Sequence, residues 1–128
     1  MAEHNVLGRW GEQAACELLV SKGYAIRERN WRSGHYEIDL IAQKGTRIVF
    51  VEVKTRKTGG SDPLMAFDTK KQRRLARAAD TYLRLLGLGM AYQFDFIGIV
   101  GDAHQYSIEH IEDVYIDLFN IRGRSARL

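Results

Sequence analysis

The chain has one cysteine, one proline and no long run of apolar residues. A single cysteine can neither close an intramolecular disulfide nor build a cysteine-rich zinc site, so we expect Cys16 to be a small core residue on a helix. No stretch approaches the roughly 20 apolar residues of a membrane-spanning helix. The amino terminus also lacks a basic region followed by an apolar signal stretch. We therefore predict no membrane partner and a cytoplasmic location.

The 128 residues are 45% hydrophobic, which is enough apolar material for one compact core. No repeat and no obvious linker divides the sequence. We predict a single domain over residues 1–120, followed by a basic tail over residues 121–128.

The order of the periodic segments predicts an α/β fold with a central mixed sheet flanked by helices. Helices are predicted at 5–22 and 68–86, and strands at 25–31, 37–43, 46–56 and 92–100. A short edge strand is predicted at 104–109, and a final helical turn or two at 111–119. Residues 59–63 carry the clearest loop signal.

Charged residues stand on two neighbouring strands of this prediction. Side chains alternate between the faces of a strand, so Glu37 and Asp39 share one side, and Glu52 and Lys54 share one side of the next strand. A two-residue turn at 44–45, where glycine supplies a positive φ, places Asp39 opposite Phe50 and diagonal to Glu52 at roughly 7–8 Å. A slip of two residues would place Asp39 directly opposite Glu52.

The apolar pattern favours a register in which the acids share a face. One face is predicted to carry Ile38, Leu40, Val49, Val51 and Val53, whereas the acids are accompanied by Ile41, Ile48 and Phe50. A strand that is apolar on both sides is buried, which makes charges there costly. The alternative is an ordinary surface ion pair between Glu52 and Lys54, with Asp39 solvated.

Two close carboxylates repel each other, so a partly buried pair needs a neutralising cation or a retained proton. Lys54 offsets only one charge. Mg²⁺ commonly binds through one or two carboxylates and fills its other positions with water and substrate phosphate. We therefore predict a site for Mg²⁺, or for Mn²⁺, at Asp39 and Glu52. Lys54 is predicted to orient the attacking water or to neutralise the phosphate.

A resemblance to a known family is carried by residues 29–56, which read RNWRSGHYEIDLIAQKGTRIVFVEVKTR. This segment resembles the core of the bacterial UPF0102 (YraN-type) family, which is similar to PD-(D/E)xK nucleases and archaeal Holliday-junction resolvases. The resemblance extends over residues 5–119 through GRWGEQAA, KKQRRL and FDFIGI. It implies a restriction-endonuclease-like fold in which Asp39, Glu52 and Lys54 are catalytic. It also implies that Lys71 contacts phosphate or supports the site.

Two further acids are candidate metal ligands. Glu12 lies on a side of the first helix that otherwise carries small and apolar residues. In the resembling nucleases an acid on this helix joins the metal site directly or through water. The alternative is that Glu12 merely complements the helix dipole near the amino terminus of the helix. Glu37 is the other candidate, since it shares a strand side with Asp39.

Positive charge is concentrated, although the net charge is only +3. The second long helix carries Lys70, Arg74, Arg77 and Arg84 on one side. Phosphate contacts are predicted for Lys70, Lys71, Arg74, Arg77 and Arg56, because basic flanks around an acidic metal centre suit a polyanion. The alternative for such a run is a solvated helix face. Trp31, Tyr36 and Tyr92 are suited to stacking on bases, with core packing or a strand surface as the alternative.

The leading hypothesis is a Mg²⁺-dependent endonuclease that acts on DNA, including branched or structured forms, through attack of an activated water on a phosphodiester. The alternatives are a non-catalytic nucleic-acid-binding module with a nuclease fold and a protein-interaction domain. A homodimer is implied by the resemblance to branched-DNA enzymes. Asp95, in the FDFIGI segment, is expected to support the fold and not to bind metal.

Overall fold

The computed structural model describes residues 2–87 and 89–114. Its helices are α1 (Ala2–Ser21), a single 3₁₀ turn (Pro63–Ala66) and α2 (Thr69–Leu86). Its strands are β1 (Ala25–Ser33), β2 (Tyr36–Lys44), β3 (Arg47–Arg56), β4 (Tyr92–Gly101) and β5 (Tyr106–Ile111). The predicted elements are thus confirmed to within a few residues, and the 3₁₀ turn was not predicted.

The carboxyl end of the chain agrees less well with the prediction. Ile111 is the last residue of β5, and residues 112–113 form a turn. The prediction of a helix starting at 111 is therefore wrong at its start, because Ile111 pairs with Phe96 in the sheet. Residues 112–114 are not helical either, whereas residues 115–119 of that prediction and the basic tail at 121–128 lie outside the described residues.

The five strands form one mixed sheet in the order β1-β2-β3-β4-β5. Only β3 and β4 run parallel, joined by the crossover that contains α2, and the other three pairs are antiparallel. The predicted class is confirmed: a central mixed sheet is flanked by helices, in an arrangement compatible with a restriction-endonuclease-like fold. Neither α1 nor α2, the two long helices of the described residues, is apolar enough to cross a membrane.

The helices cover opposite faces of the sheet, because β3 is apolar on both sides. Ile48 and Phe50 join the core under α2, which includes Leu75, Ala78, Ala79 and Tyr82. Val49, Val51 and Val53 join the core under α1, which includes Ala15, Cys16 and Leu19. Cys16 is buried and free, as predicted. The central strand is therefore covered on both faces over residues 48–51, and the charged residues lie beyond this covered part.

The register of the β2–β3 hairpin differs from the prediction by two residues. Lys44 pairs with Arg47 and Leu40 pairs with Val51, so the connecting turn is Gly45–Thr46 and not 44–45. Gly45 adopts the positive φ of 63° that the turn requires. Continued by one step, this register brings Asp39 directly opposite Glu52. The predicted pairing of Asp39 with Phe50 is therefore wrong, because Phe50 pairs with Ile41.

Helix α1 approaches β3 closely at a glycine. A Cβ atom added to Gly11 would collide with Oγ1 of Thr55, which is buried, whereas one added to Gly8 would meet nothing within 4 Å. Absence of a side chain at Gly11 therefore lets the helix lie directly on the end of β3. This contact sets the position of the next residue, Glu12.

The fully buried Asp95 on β4 forms hydrogen bonds with the segment before β1, with β4 and β5, and with the turn after β5. Asp95 Oδ2 accepts hydrogen bonds from Tyr24 Oη at 3.1 Å and from His110 Nε2 at 2.7 Å. Its Oδ1 accepts from Gln93 Nε2 at 2.8 Å and from the Asp113 amide at 2.9 Å. Burial alone would raise the pKa of Asp95, but these hydrogen bonds outweigh it and hold the pKa below its ordinary value. Asp95 thus supports the fold.

Replacing Gly11 by alanine should destabilise the protein by about 1–3 kcal/mol, because the new methyl group overlaps Thr55. The matched Gly8→Ala change should instead stabilise it by up to about 1 kcal/mol through helix propensity. Urea unfolding measures both, and adding Thr55→Ala should recover part of the loss in the Gly11→Ala protein. Equal effects of the two alanines would contradict the close approach.

Replacing Asp95 by asparagine should lower the free energy of unfolding by about 3 kcal/mol near pH 7, since buried donors lose a charged acceptor. The pKa of Asp95 is lowered in the folded state, so its contribution is present above the ordinary carboxyl pKa and is lost as the pH falls through the folded value. The difference between parent and variant in urea unfolding should therefore shrink as the pH is lowered below the ordinary carboxyl pKa. The control is Asp80→Asn on the surface of α2; a loss as large in that variant would contradict the prediction.

Candidate active site

The candidate site lies where β2 and β3 separate. In the described part of the chain, their ladder ends at the pair Leu40 and Val51, although β2 continues along β1 and β3 continues along β4. A cavity of about 730 Å³ opens in this fork. We call it the fork cavity; its lining includes Glu12, Asn30, Glu37, Asp39, Glu52, Lys54, Arg56, Lys71 and Arg74. It therefore draws residues from both helices and three strands.

Asp39 holds the fork open with its side chain. Its Oδ2 accepts a hydrogen bond of 2.9 Å from the backbone amide of Val53, replacing a backbone acceptor on β2. Residues two apart in a regular strand point to the same face, but this alternation breaks in β2 at Asp39. Ile38 packs in the core under α2, whereas Leu40 packs in the core under α1. The prediction that Ile38 shares a face with Leu40 is therefore wrong. Asn30, which lies opposite Asp39 on β1, has a positive φ of 52°, which asparagine tolerates better than most residues.

The two central acids are in an environment that opposes their ionisation. Burial raises the pKa of Glu52, and repulsion from Asp39 raises it further, to about 7. Burial also raises the pKa of Asp39, although the Val53 amide acts in the opposite direction. The Glu52 side chain is only 13% exposed. The pair thus either retains a proton or needs a cation.

Two lysines supply positive charge to this pair. Lys54 Nζ lies 4.0 Å from Glu52 Oε2, and its side chain is 24% exposed. Lys71, in the first turn of α2, lowers the pKa of both Asp39 and Glu52. The helix start that positions Lys71 is fixed by Asp68, whose side chain accepts a 3.0 Å hydrogen bond from the Lys71 amide. Even so, the lysines only partly offset the two buried acids.

Glu12 reaches the fork cavity from α1. It lies in the middle of the 20-residue helix, which begins at Ala2, so the alternative that it complements the helix dipole does not apply. Burial raises the pKa of Glu12, and Asp39 raises it further, whereas an interaction with the Asn30 side chain lowers it. Glu12 is therefore electrostatically coupled to the central pair. Asn30 was not among the residues singled out from the sequence, and its only signal there is that asparagine can adopt a positive φ.

Glu37 and the basic residues surround these acids. Glu37 is exposed at the rim and forms a 3.4 Å ion pair with Arg32. Arg56 and Arg74 line the cavity. Of the other predicted phosphate contacts, Lys70 is exposed outside the lining, and Arg77 lines a separate cavity along α2. The predicted basic residues are thus divided between two places.

No group of three or more His, Cys, Asp or Glu side chains within residues 2–87 and 89–114 is arranged to hold a metal ion. The predicted Mg²⁺ site needs fewer protein ligands, because this ion retains water and binds substrate phosphate. The donor set fits that chemistry: two carboxylates line one cavity, and both have raised pKa values. Metal binding at Asp39 and Glu52 remains a prediction.

Comparison with known proteins identifies similar chains of the same size. The model of the uncharacterised protein family UPF0102 matches residues 11–99. A UPF0102 protein of Bacteroides thetaiotaomicron is 45% identical over 116 residues, which cover 90% of this chain and 96% of that protein. A UPF0102 protein of Porphyromonas gingivalis is 38% identical over 129 residues, covering 98% of this chain and 96% of that one.

Replacing Glu52 by glutamine should make stability less dependent on pH. The folded pKa of about 7 lies above the ordinary 4.5, so the parent loses stability as the pH rises through this range and stays less stable above it. Between about pH 5 and pH 8, the free energy of unfolding of the variant should rise relative to that of the parent by up to about 3 kcal/mol. Urea unfolding in EDTA measures this difference. Glu37→Gln at the exposed rim is the control. An identical pH dependence in parent and Glu52→Gln would contradict the prediction.

Proposed function

We propose that this chain, which belongs to the uncharacterised protein family UPF0102, is a Mg²⁺-dependent nuclease that hydrolyses phosphodiester bonds of DNA. The observation that carries the proposal is the fork cavity, whose lining brings Asp39, Glu52 and Lys54 together. Action on branched or structured DNA, a homodimer and a cytoplasmic location remain predictions.

The acids of the cavity have different proposed roles. Asp39 and Glu52 are the proposed metal ligands, because a dication would relieve both the cost of their burial and their mutual repulsion. Glu12, coupled to Asp39 from the α1 side, is suited to hold a water near the ion. Glu37 is a weaker candidate, since it is exposed and paired with Arg32. Bound Mg²⁺ would supply a water of lowered pKa and neutralise phosphate charge.

Lys54 is the proposed group for the chemical step. Its ammonium group, 4.0 Å from the Glu52 carboxylate, lies at the edge of the acidic pair. From there it donates hydrogen bonds that orient the attacking water and offset the negative charge that develops on the phosphate. Lys71 contributes a second positive charge from α2.

The flanks of the cavity suit a polyanionic substrate. Arg56 extends from β3 and Arg74 from α2 into the lining. We call Lys70, Arg74, Arg77 and Arg84 the α2 basic row; their spacing of three, four and seven residues keeps them on one helix face. Phosphate contacts of this kind position nucleic acid without reading its sequence.

A second candidate function is a nucleic-acid-binding module without catalysis. The observation that favours it is that most of the α2 basic row lies outside the fork cavity, so it would hold phosphates without the acids. In that case binding would depend on salt and survive the loss of Asp39 and Glu52.

The test is cleavage of labelled single-stranded, duplex, flap and four-way DNA with Mg²⁺ or Mn²⁺. Asp39→Asn, Glu52→Gln and Lys54→Met should each lose at least about 100-fold in rate. Glu17→Gln, an exposed acid on the same helix as Glu12, is the control and should keep the parent rate. Mg²⁺ should also raise the melting temperature of the parent but not that of Asp39→Asn.

Equal residual cleavage in the parent, Asp39→Asn and Lys54→Met would indicate a contaminant and overturn the proposal. Salt-sensitive DNA binding that persists in Asp39→Asn, with no cleavage of any substrate by the parent, would instead favour the binding module. Failure to bind any DNA or RNA at low salt would favour a protein-interaction domain.

A further inference from the structure

A second cavity lies along α2, next to the fork cavity. Its volume is about 460 Å³. We call it the α2 cavity; the lining residues that matter here are Tyr36, Arg77, Asp80, Arg84, Tyr92 and Phe94. Three aromatic residues and two arginines thus line one concave surface, and the proposed hydrolytic residues are absent from its lining.

The two cavities adjoin each other along both chain segments that line them. Tyr36 lines the α2 cavity, and the next residue, Glu37, lines the fork cavity. On α2, Arg74 lines the fork cavity and Arg77 lines the other, a rise of about 4.5 Å along the helix axis. Arg74 Nη2 also donates a 3.1 Å hydrogen bond to the His35 carbonyl oxygen. This bond holds the chain before Tyr36 against α2.

The aromatic rings of the α2 cavity are held in place yet remain accessible. Tyr92 is 40% exposed although its ring packs edge-on against Phe50 and Phe94, with centroids 6.3 and 5.7 Å away. Tyr36 is half-buried, with its ring 5.4 Å from that of His35. Rings fixed in this way can stack on a flat ligand with little further loss of conformational entropy.

The charges of the α2 cavity add a preference for phosphate. Arg77 and Arg84 belong to the α2 basic row, which continues from the fork cavity through Arg74. Asp80 forms a 2.9 Å ion pair with Arg84 and thereby fixes that guanidinium on the helix surface. A phosphate chain that lies along this row passes from the fork cavity to the α2 cavity.

We propose that the α2 cavity takes an unpaired nucleobase of the strand whose phosphate lies in the fork cavity. A base within a duplex has both faces covered by its neighbours, so only an unpaired base can offer a face to a tyrosine ring. The inference rests on the proposed function and narrows its substrate to nucleic acid that is single-stranded or frayed beside the cleaved bond. Tyr36, at the boundary between the cavities, is the residue that sets this specificity.

The experiment measures binding without turnover. Fluorescein-labelled DNA duplexes, either blunt or with a five-nucleotide single-stranded overhang, are titrated with the full chain in EDTA at low salt. The parent should bind the overhang duplex about ten-fold more tightly than the blunt one, the size expected for one stacked base. Tyr36→Ala should bring this ratio close to one, whereas Tyr36→Phe, which keeps the ring, should preserve it.

Tyr106→Ala is the control, because Tyr106 is an accessible tyrosine that packs against Trp10, and neither Tyr106 nor Trp10 lines either cavity. It should keep the parent ratio. A 2-aminopurine placed as the first unpaired base should lose fluorescence on binding the parent and Tyr36→Phe, but not Tyr36→Ala. Melting temperatures establish that each variant is folded.

Equal binding of blunt and overhang duplexes by the parent would overturn this inference and leave the proposed function standing. An unchanged ratio in Tyr36→Ala would overturn it as well. Absence of cleavage in the preceding experiment, with the overhang preference retained, would instead count against hydrolysis alone.

Discussion

The hydrogen bond from the Val53 amide to Asp39 is the contact on which the site depends. It forms where the backbone ladder between β2 and β3 ends. The Val53 amide of β3 therefore donates to the Asp39 carboxylate instead of to a backbone carbonyl oxygen of β2. Because its donor is a backbone amide in the central strand, turning Asp39 away would leave that amide without its acceptor. Glu52 and Glu12 line the cavity that opens at the same separation of the strands. One contact therefore links the shape of the cavity to the position of its acids.

Two aspartates of this sheet show how environment decides the role of a residue. Asp95 is fully buried and accepts four hydrogen bonds from the described residues, and its pKa is lowered. Asp39 accepts one from the described residues and lines the same cavity as Glu52, and its pKa is raised. A carboxylate whose partners are satisfied stabilises the fold, whereas one that is held in place without enough partners retains affinity for a cation.

Much of the fold could be predicted from local patterns. The two apolar faces of β3, with Phe50 on one and Val51 on the other, indicated a strand buried between two layers. The alternation of Glu52 and Lys54 placed both on one side, and the family resemblance selected them together with Asp39. The register was predicted two residues away from the observed one, because a turn at 44–45 and a turn at Gly45–Thr46 both contain the glycine that such turns require. A shift of two residues in the register keeps every side chain on the same face of the sheet. The apolar pattern therefore could not discriminate between the predicted and the observed register.

The sequence by itself determined which residues are apolar and at what period, and hence the helices, the strands and the sides on which charges fall. Those properties depend on neighbours within about four residues. Only the tertiary structure decided that β2 and β3 separate after Leu40, that Ile38 and Leu40 pack on opposite faces, and that Tyr36 lies between two cavities. Each of these depends on packing between segments distant in the chain, with the close approach of Gly11 to Thr55 as one example. Local periodicity carries no information about such contacts, because the atoms that make them meet only after the sheet has formed.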